Sequence, residues 1–156
     1  MKKYSTELKW AIIYFIIYLL WMALEKSMGW HGESIEKHPI YSMLFFVVAI
    51  VVFVFALLDK RSELKTMTWT QGATSGVVMS IIIAVFSPLS QYIVHNIISP
   101  EYFPNAIQAA VSNGRMTQEQ AEAFFNYGSY VLQDAGGSLI FNIIFVAVVA
   151  YFLKNK

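Results

Sequence analysis

Residues 72–100 read GATSGVVMSIIIAVFSPLSQYIVHNIISP. Gly72, Gly76, Ser80 and Ala84 recur at four-residue steps, and Ser87, Gln91 and His95 continue up much the same face, with Pro88 among them. At about 100° per residue these positions share a helical stripe roughly 140° wide. The small end of the stripe admits another helix at close range, from the same bundle or from a second copy of the chain. The polar end asks for hydrogen-bonding partners. Apolar side chains without a charge surround the stripe, and they call for lipid as solvent.

The rest of the chain agrees. Its 156 residues are 57% hydrophobic and 13% charged, with a mean hydropathy of +0.53. A soluble domain carries about 25% charged residues and about 45–50% apolar ones. Upstream, residues 40–58 read IYSMLFFVVAIVVFVFALL and residues 10–24 read WAIIYFIIYLLWMAL; downstream, an apolar run closes the chain from about Ala135. A bilayer leaves the helix as the form that satisfies every backbone group, and about 20 residues cross it. The pattern therefore predicts an all-α, four-transmembrane-helix bundle in one domain, with spans near 7–28, 40–58, 69–98 and 129–153. Asp59, Lys60 and Arg61 are expected to stop the second span. Pro88 is expected to kink the third. No small-x-small cleavage pattern follows the first run, so it is expected to be retained rather than removed as a signal.

Between spans three and four the periodicity is amphipathic. Pro104 suits a first helical turn, Phe103, Ile107, Ala110 and Val111 recur on one face, and Asn113-Gly114 is a stop signal. Thr117 to Gln120 fits a capping box. These signals predict a short extracytoplasmic hairpin near 101–127, with helices near 104–113 and 118–127. In the last span, Gly136-Gly137 is expected to admit a close neighbour, and Asp134, Ser138 and Asn142 share a face.

Lys and Arg concentrate at Lys2, Lys3, Lys9, Lys60, Arg61, Lys65, Lys154 and Lys156, on one side of a four-span protein; the other side has Lys26, Lys37 and Arg115. By the positive-inside rule both termini are expected in the cytoplasm. The opposite side gathers Glu25, Glu33, Glu36, Glu101, Glu119, Glu122 and Asp134, an acidic surface that attracts cations.

The chain has no cysteine, which excludes disulfides and thiolate metal sites, and its net charge of +1 argues against nucleic acid as a partner. No P-loop, Gly-x-Ser-x-Gly elbow or HExxH is present, so no catalytic residue and no cofactor are predicted. Two sets of residues are candidates for chemistry. Glu25, Gln91, His95 and Asp134 are expected at similar depth, as a polar cluster beneath the hairpin; interhelical hydrogen bonding is the favoured reading, ahead of a substrate site. His31, His38, Glu33 and Glu36 could hold a metal or relay protons on the outer face, although their spacing is that of an ordinary polar loop. Gly72, Gly76, Ser80 and Ala84 are read as a helix-packing face.

Several stretches carry a resemblance: LEKSMGWHGESIEKHPIY at 24–41, FALLDKR at 55–61, MTWTQGATSG at 67–76, SPLSQYIVHNIISPEYFPNAI at 87–107 and GRMTQEQAEAFFNYGSY at 114–130. Together they resemble a bacterial membrane-protein family, domain of unknown function 4199, found mainly in Bacteroidetes. The resemblance implies a setting in the inner (cytoplasmic) membrane, no established activity, and an envelope glycosyltransferase as a conceivable partner. The leading functional expectation is a non-enzymatic accessory or assembly subunit that binds lipid and a partner, or a second copy as a homo-oligomer. A small oligomeric transporter or channel comes next, and third a membrane enzyme using outer-face His and Glu on a lipid-linked substrate.

Overall fold

A computed structural model describes residues 4–156; Lys2 and Lys3, part of the basic N-terminus, lie outside the described residues. The α-helices are α1 (Ser5–Ser27), α2 (His38–Tyr41), α3 (Leu44–Leu64), α4 (Trp69–Ile93), α5 (Tyr102–Ser112), α6 (Gln118–Phe124) and α7 (Tyr127–Leu153), and no strand occurs among the described residues. A 3-10 turn at Ile35–Lys37 leads into α2, and a π-helical turn at Val94–Ile98 extends α4. Four segments are long and apolar enough to cross a membrane: Ser5–Ser27, Ile35–Leu64, Trp69–Ile98 and Tyr127–Leu153.

These four run up and down in turn. At the terminal end, Lys9 and the Trp10 indole meet Asp59, and the Arg61 guanidinium donates to the Leu153 carbonyl. At the other end, α5 and α6 form a cap. Ala11, Tyr14, Phe53, Met79, Ile83 and Val146 are among the side chains that fill the core. Outside the core the surface stays apolar. Leu8, Ile12, Ile16, Leu20 and Leu24 form an exposed row at four-residue steps on α1, and Ile140, Ile144, Val148 and Phe152 form another on α7. Rows of this length have no place in water. With lipid around them the helices are satisfied on both faces, and the chain is a multi-pass membrane protein.

The small-residue stripe of α4 faces α7. A Cβ built on Gly76 would lie 2.8 Å from the Val146 Cβ and closer still to both Val146 methyls, and one built on Gly72 would lie 3.0 Å from the Ala150 Cβ. Ser80 is fully buried and returns its hydroxyl to the Gly76 carbonyl at 2.8 Å, while Ala84 is half-buried. The stripe is thus consumed within one chain. Gly136 and Gly137 face open space, so among the described residues they do not bring close the neighbour expected from the sequence.

The second long helix does not stop at Asp59. It continues to Leu64, because the charges find partners, on α1 and α7 as well as within the helix itself. Lys60 Nζ lies 3.3 Å from Glu7 Oε1 and 3.1 Å from Glu63 Oε2, and Ser75 donates to Glu7 at 2.7 Å. Glu7 and Lys60 are both buried. The helix ends where Lys65 turns left-handed at φ 64°, and Thr68 with Gln71 forms a capping box that starts α4. The Thr117 capping box expected for α6 is present. In α5 the fully buried face is Tyr102, Ala106 and Ala110, one position back from the row that starts at Phe103.

Candidate functional site

The site begins at the end of α1. Gly29 takes φ 76°, the Gly29 amide donates to the Lys26 carbonyl and the Trp30 amide to the Glu25 carbonyl. This is a Schellman stop, which needs a residue without a Cβ penalty at its left-handed position. It reverses the chain just past Glu25 and folds His31 back onto that carboxylate. The following turn and Pro39 in the first turn of α2 bring His38 in from a second direction. Ser42, one helical turn beyond His38, comes with it.

Glu25 is wholly buried. Its Oε1 accepts from the Trp21 indole at 2.6 Å and from the Ser42 hydroxyl at 2.9 Å. Its Oε2 faces His31 Nε2 at 3.2 Å and His38 Nε2 at 3.0 Å. Four donors around one carboxylate replace the water it gave up. The other nitrogen of His38, Nδ1, lies 3.2 Å from the Tyr102 hydroxyl, which is 3.0 Å from that of Tyr130. Burial, with the Tyr130 hydroxyl beside it, raises the Tyr102 hydroxyl well above the ordinary tyrosine range, so it stays protonated.

A neighbouring chain of contacts runs along α4. His95 Nε2 lies 3.0 Å from Gln91 Oε1, and Gln91 Nε2 donates to the Tyr18 hydroxyl at 3.0 Å. His95 sits in the π-helical turn, its ring stacked on Phe103 with centroids 4.0 Å apart. Wider turns of this kind recur at functional sites because they re-aim one side chain. One turn below, Asp134 of α7 accepts from Ser87 at 2.6 Å.

Between these groups and the cap lies a cavity of about 630 Å³. Its walls are mostly apolar: Met22, Pro39 and Phe46 from the bundle, Ala106, Ala110, Met116, Phe124 and Phe125 from the cap. Tyr18, His38, Ser42, Gln91, His95, Tyr130 and Asp134 supply the polar lining, with Arg115 and Glu36 also on the wall. Below it the bundle closes. The space beside Tyr14, Ser90 and Asp134 is about 20 Å³, room for about one water.

The structure thus places Gln91, His95 and Asp134 on one cavity, with Glu25 behind its wall, joined to it through His38 and Ser42. It does not assemble His31 and His38 with Glu33 and Glu36. Those two acids are exposed, and Glu36 instead accepts from Asn113 at 2.9 Å. The carboxylate for both histidines is Glu25. Ser42, Tyr102 and Tyr130 were not singled out from the sequence as members of this network. The i, i+4 spacing of Trp21 with Glu25 and of His38 with Ser42 was the available signal.

No curated protein and no solved structure matches the chain. The sequence model of one family does, over residues 9–155, and the chain belongs to that family, described as Protein of unknown function (DUF4199).

Proposed function

We propose that this protein sits in a bacterial inner membrane with both chain termini in the cytoplasm, and that it is a binding subunit whose cavity holds one lipid-class amphiphile. The carrying observation is the cavity itself, about 630 Å³ with apolar walls and a few converging polar groups. That size and composition are those of small-molecule sites, which run from about 300 to 1,000 Å³. His95 lines the cavity beside Gln91, and its Nδ1 is buried with no partner among the described residues. Orientation is supported by the basic residues gathered at the terminal end and the acids at the capped end. The small-residue stripe supports no partner, since α7 occupies it. A conducting path gains no support either, because the bundle is packed below Asp134.

Mass spectrometry of protein purified in mild detergent tests the reading. Wild-type protein is expected to carry one lipid-class molecule per chain. Ala110→Trp or Ala109→Trp, which place an indole in the cavity, are expected to lower that occupancy about tenfold, a loss of roughly 1.4 kcal/mol of binding, while the helix content holds. Equal lipid in wild-type and filled variants would contradict the proposal.

A further inference from the structure

Three groups on two connected segments converge beside the cavity. Glu25 Oε2 lies 3.2 Å from His31 Nε2 and 3.0 Å from His38 Nε2, and the ligand atoms of the three residues all lie within 4.8 Å of one another. A zinc ion bound at about 2.0–2.1 Å sets its tetrahedral ligand atoms about 3.3–3.4 Å apart. Two of the three separations are therefore within a few tenths of an ångström of what the ion requires.

Chemistry points the same way. Two imidazoles and a carboxylate are the protein ligands of one class of open zinc site, whereas magnesium and calcium take oxygen ligands nearly throughout. Glu25 is a wholly buried anion, yet no Lys or Arg pairs with it among the described residues. Its neighbour Lys26 turns away, to the Ile98 carbonyl and to Glu101 at 3.9 Å. A divalent cation supplies the missing positive charge.

An outer shell is built around His38 and the carboxylate, while His31 Nδ1 has no partner among the described residues. Metal-bound histidines donate their second N–H to a fixed acceptor, which orients the ring. His38 Nδ1 has the Tyr102 hydroxyl at 3.2 Å, itself held by Tyr130 at 3.0 Å. On the carboxylate, Trp21 and Ser42 hold Oε1, which leaves Oε2 to the two rings. Ser42 and His38 both line the cavity, so the three groups lie at its edge.

We infer that Glu25, His31 and His38 bind a divalent transition metal of the zinc class at the edge of the cavity. The inference stands apart from the amphiphile reading, since it is tested with the metal alone. Full-length protein in mild detergent is stripped with a chelator, given zinc, and assayed by elemental analysis and chelator competition. One zinc per chain is expected. His31→Ala and His38→Ala are each expected to weaken it more than tenfold, and Tyr102→Phe, which keeps all three ligands, about 10–100-fold. Glu33→Gln and Glu36→Gln are expected to leave it unchanged. Cobalt(II) given to the wild-type protein is expected to show the visible absorption of a four-coordinate site, a readout that needs no variant to fold. Absence of that absorption, zinc well below one per chain, or equal zinc in the folded histidine variants would each overturn the inference.

Discussion

Glu25→Ala is expected to destabilise the protein by about 2–6 kcal/mol, the cost of leaving roughly two buried donors unmet at about 1–3 kcal/mol each. Against a total stability of about 5–15 kcal/mol this is a large share. The carboxylate is the shared acceptor for Trp21, Ser42, His31 and His38. Its loss is felt unequally. His38 can exchange tautomer, because its Nδ1 has the Tyr102 hydroxyl as an alternative partner. His31 has no such route: its Nδ1 is buried without a partner among the described residues, so either tautomer leaves an N–H unmet. Glu25→Gln keeps the shape and one oxygen acceptor and is expected to lose less than the alanine variant. Unfolding in mixed micelles, followed by helix content, checks the order wild type, Gln, Ala. An alanine variant as stable as wild type would show that the carboxylate does not organise this end of the bundle.

Gly76→Val is expected to destabilise by about 3 kcal/mol, at or above the top of the usual overpacking range. Val146 already occupies the place where a Cβ would go, and both helices are long and rigid, so α4 and α7 must separate to make room. The test is a double-mutant cycle. Val146→Ala removes methyls from a fully buried side chain and costs stability in the wild-type background. In a Gly76→Ala background it is expected to restore stability, a reversal of sign that only direct contact produces. Gly136→Ala and Gly137→Ala make the opposite control. Their built Cβ atoms meet nothing within 4 Å, so they are expected to be neutral or to gain up to about 0.5–1 kcal/mol. A destabilised Gly136→Ala beside a tolerant Gly76→Val would reverse the packing described here.

Most of the fold was legible because lipid imposes a simple code. Runs such as residues 44–58 have no other form available than a helix, although the turn at Ser42 and Met43 sets the start of that helix later than residue 40, and capping signals such as Thr117 to Gln120 act over four residues. What escaped depended on distant partners. Asp59, Lys60 and Arg61 read as a stop because nothing local shows that Lys60 will meet Glu7 or that Asp59 will meet Lys9 and Trp10. The site divides along the same line. Gln91, His95 and Asp134 could be grouped by depth, since helical rise is regular. The turn that brings His31 and His38 to Glu25 has no period to read. The local trace is Gly29, whose left-handed conformation aims the returning chain at the carboxylate. The acids nearest in sequence to the histidines, Glu33 and Glu36, were the natural choice of partner, and the reversal at Gly29 replaced them with one from the helix before.

We propose a lipid-embedded bundle whose capped, cavity-bearing end faces away from the cytoplasm. The chain contains no cysteine, so a single introduced one reports its own location. Sealed spheroplasts expressing Glu119→Cys or Lys156→Cys are treated with a membrane-impermeant maleimide, before and after lysis. The expected result is labelling of Glu119→Cys in sealed spheroplasts and of Lys156→Cys only after lysis. Labelling of Lys156→Cys before lysis, or a Glu119→Cys that reacts only after it, would contradict the claim.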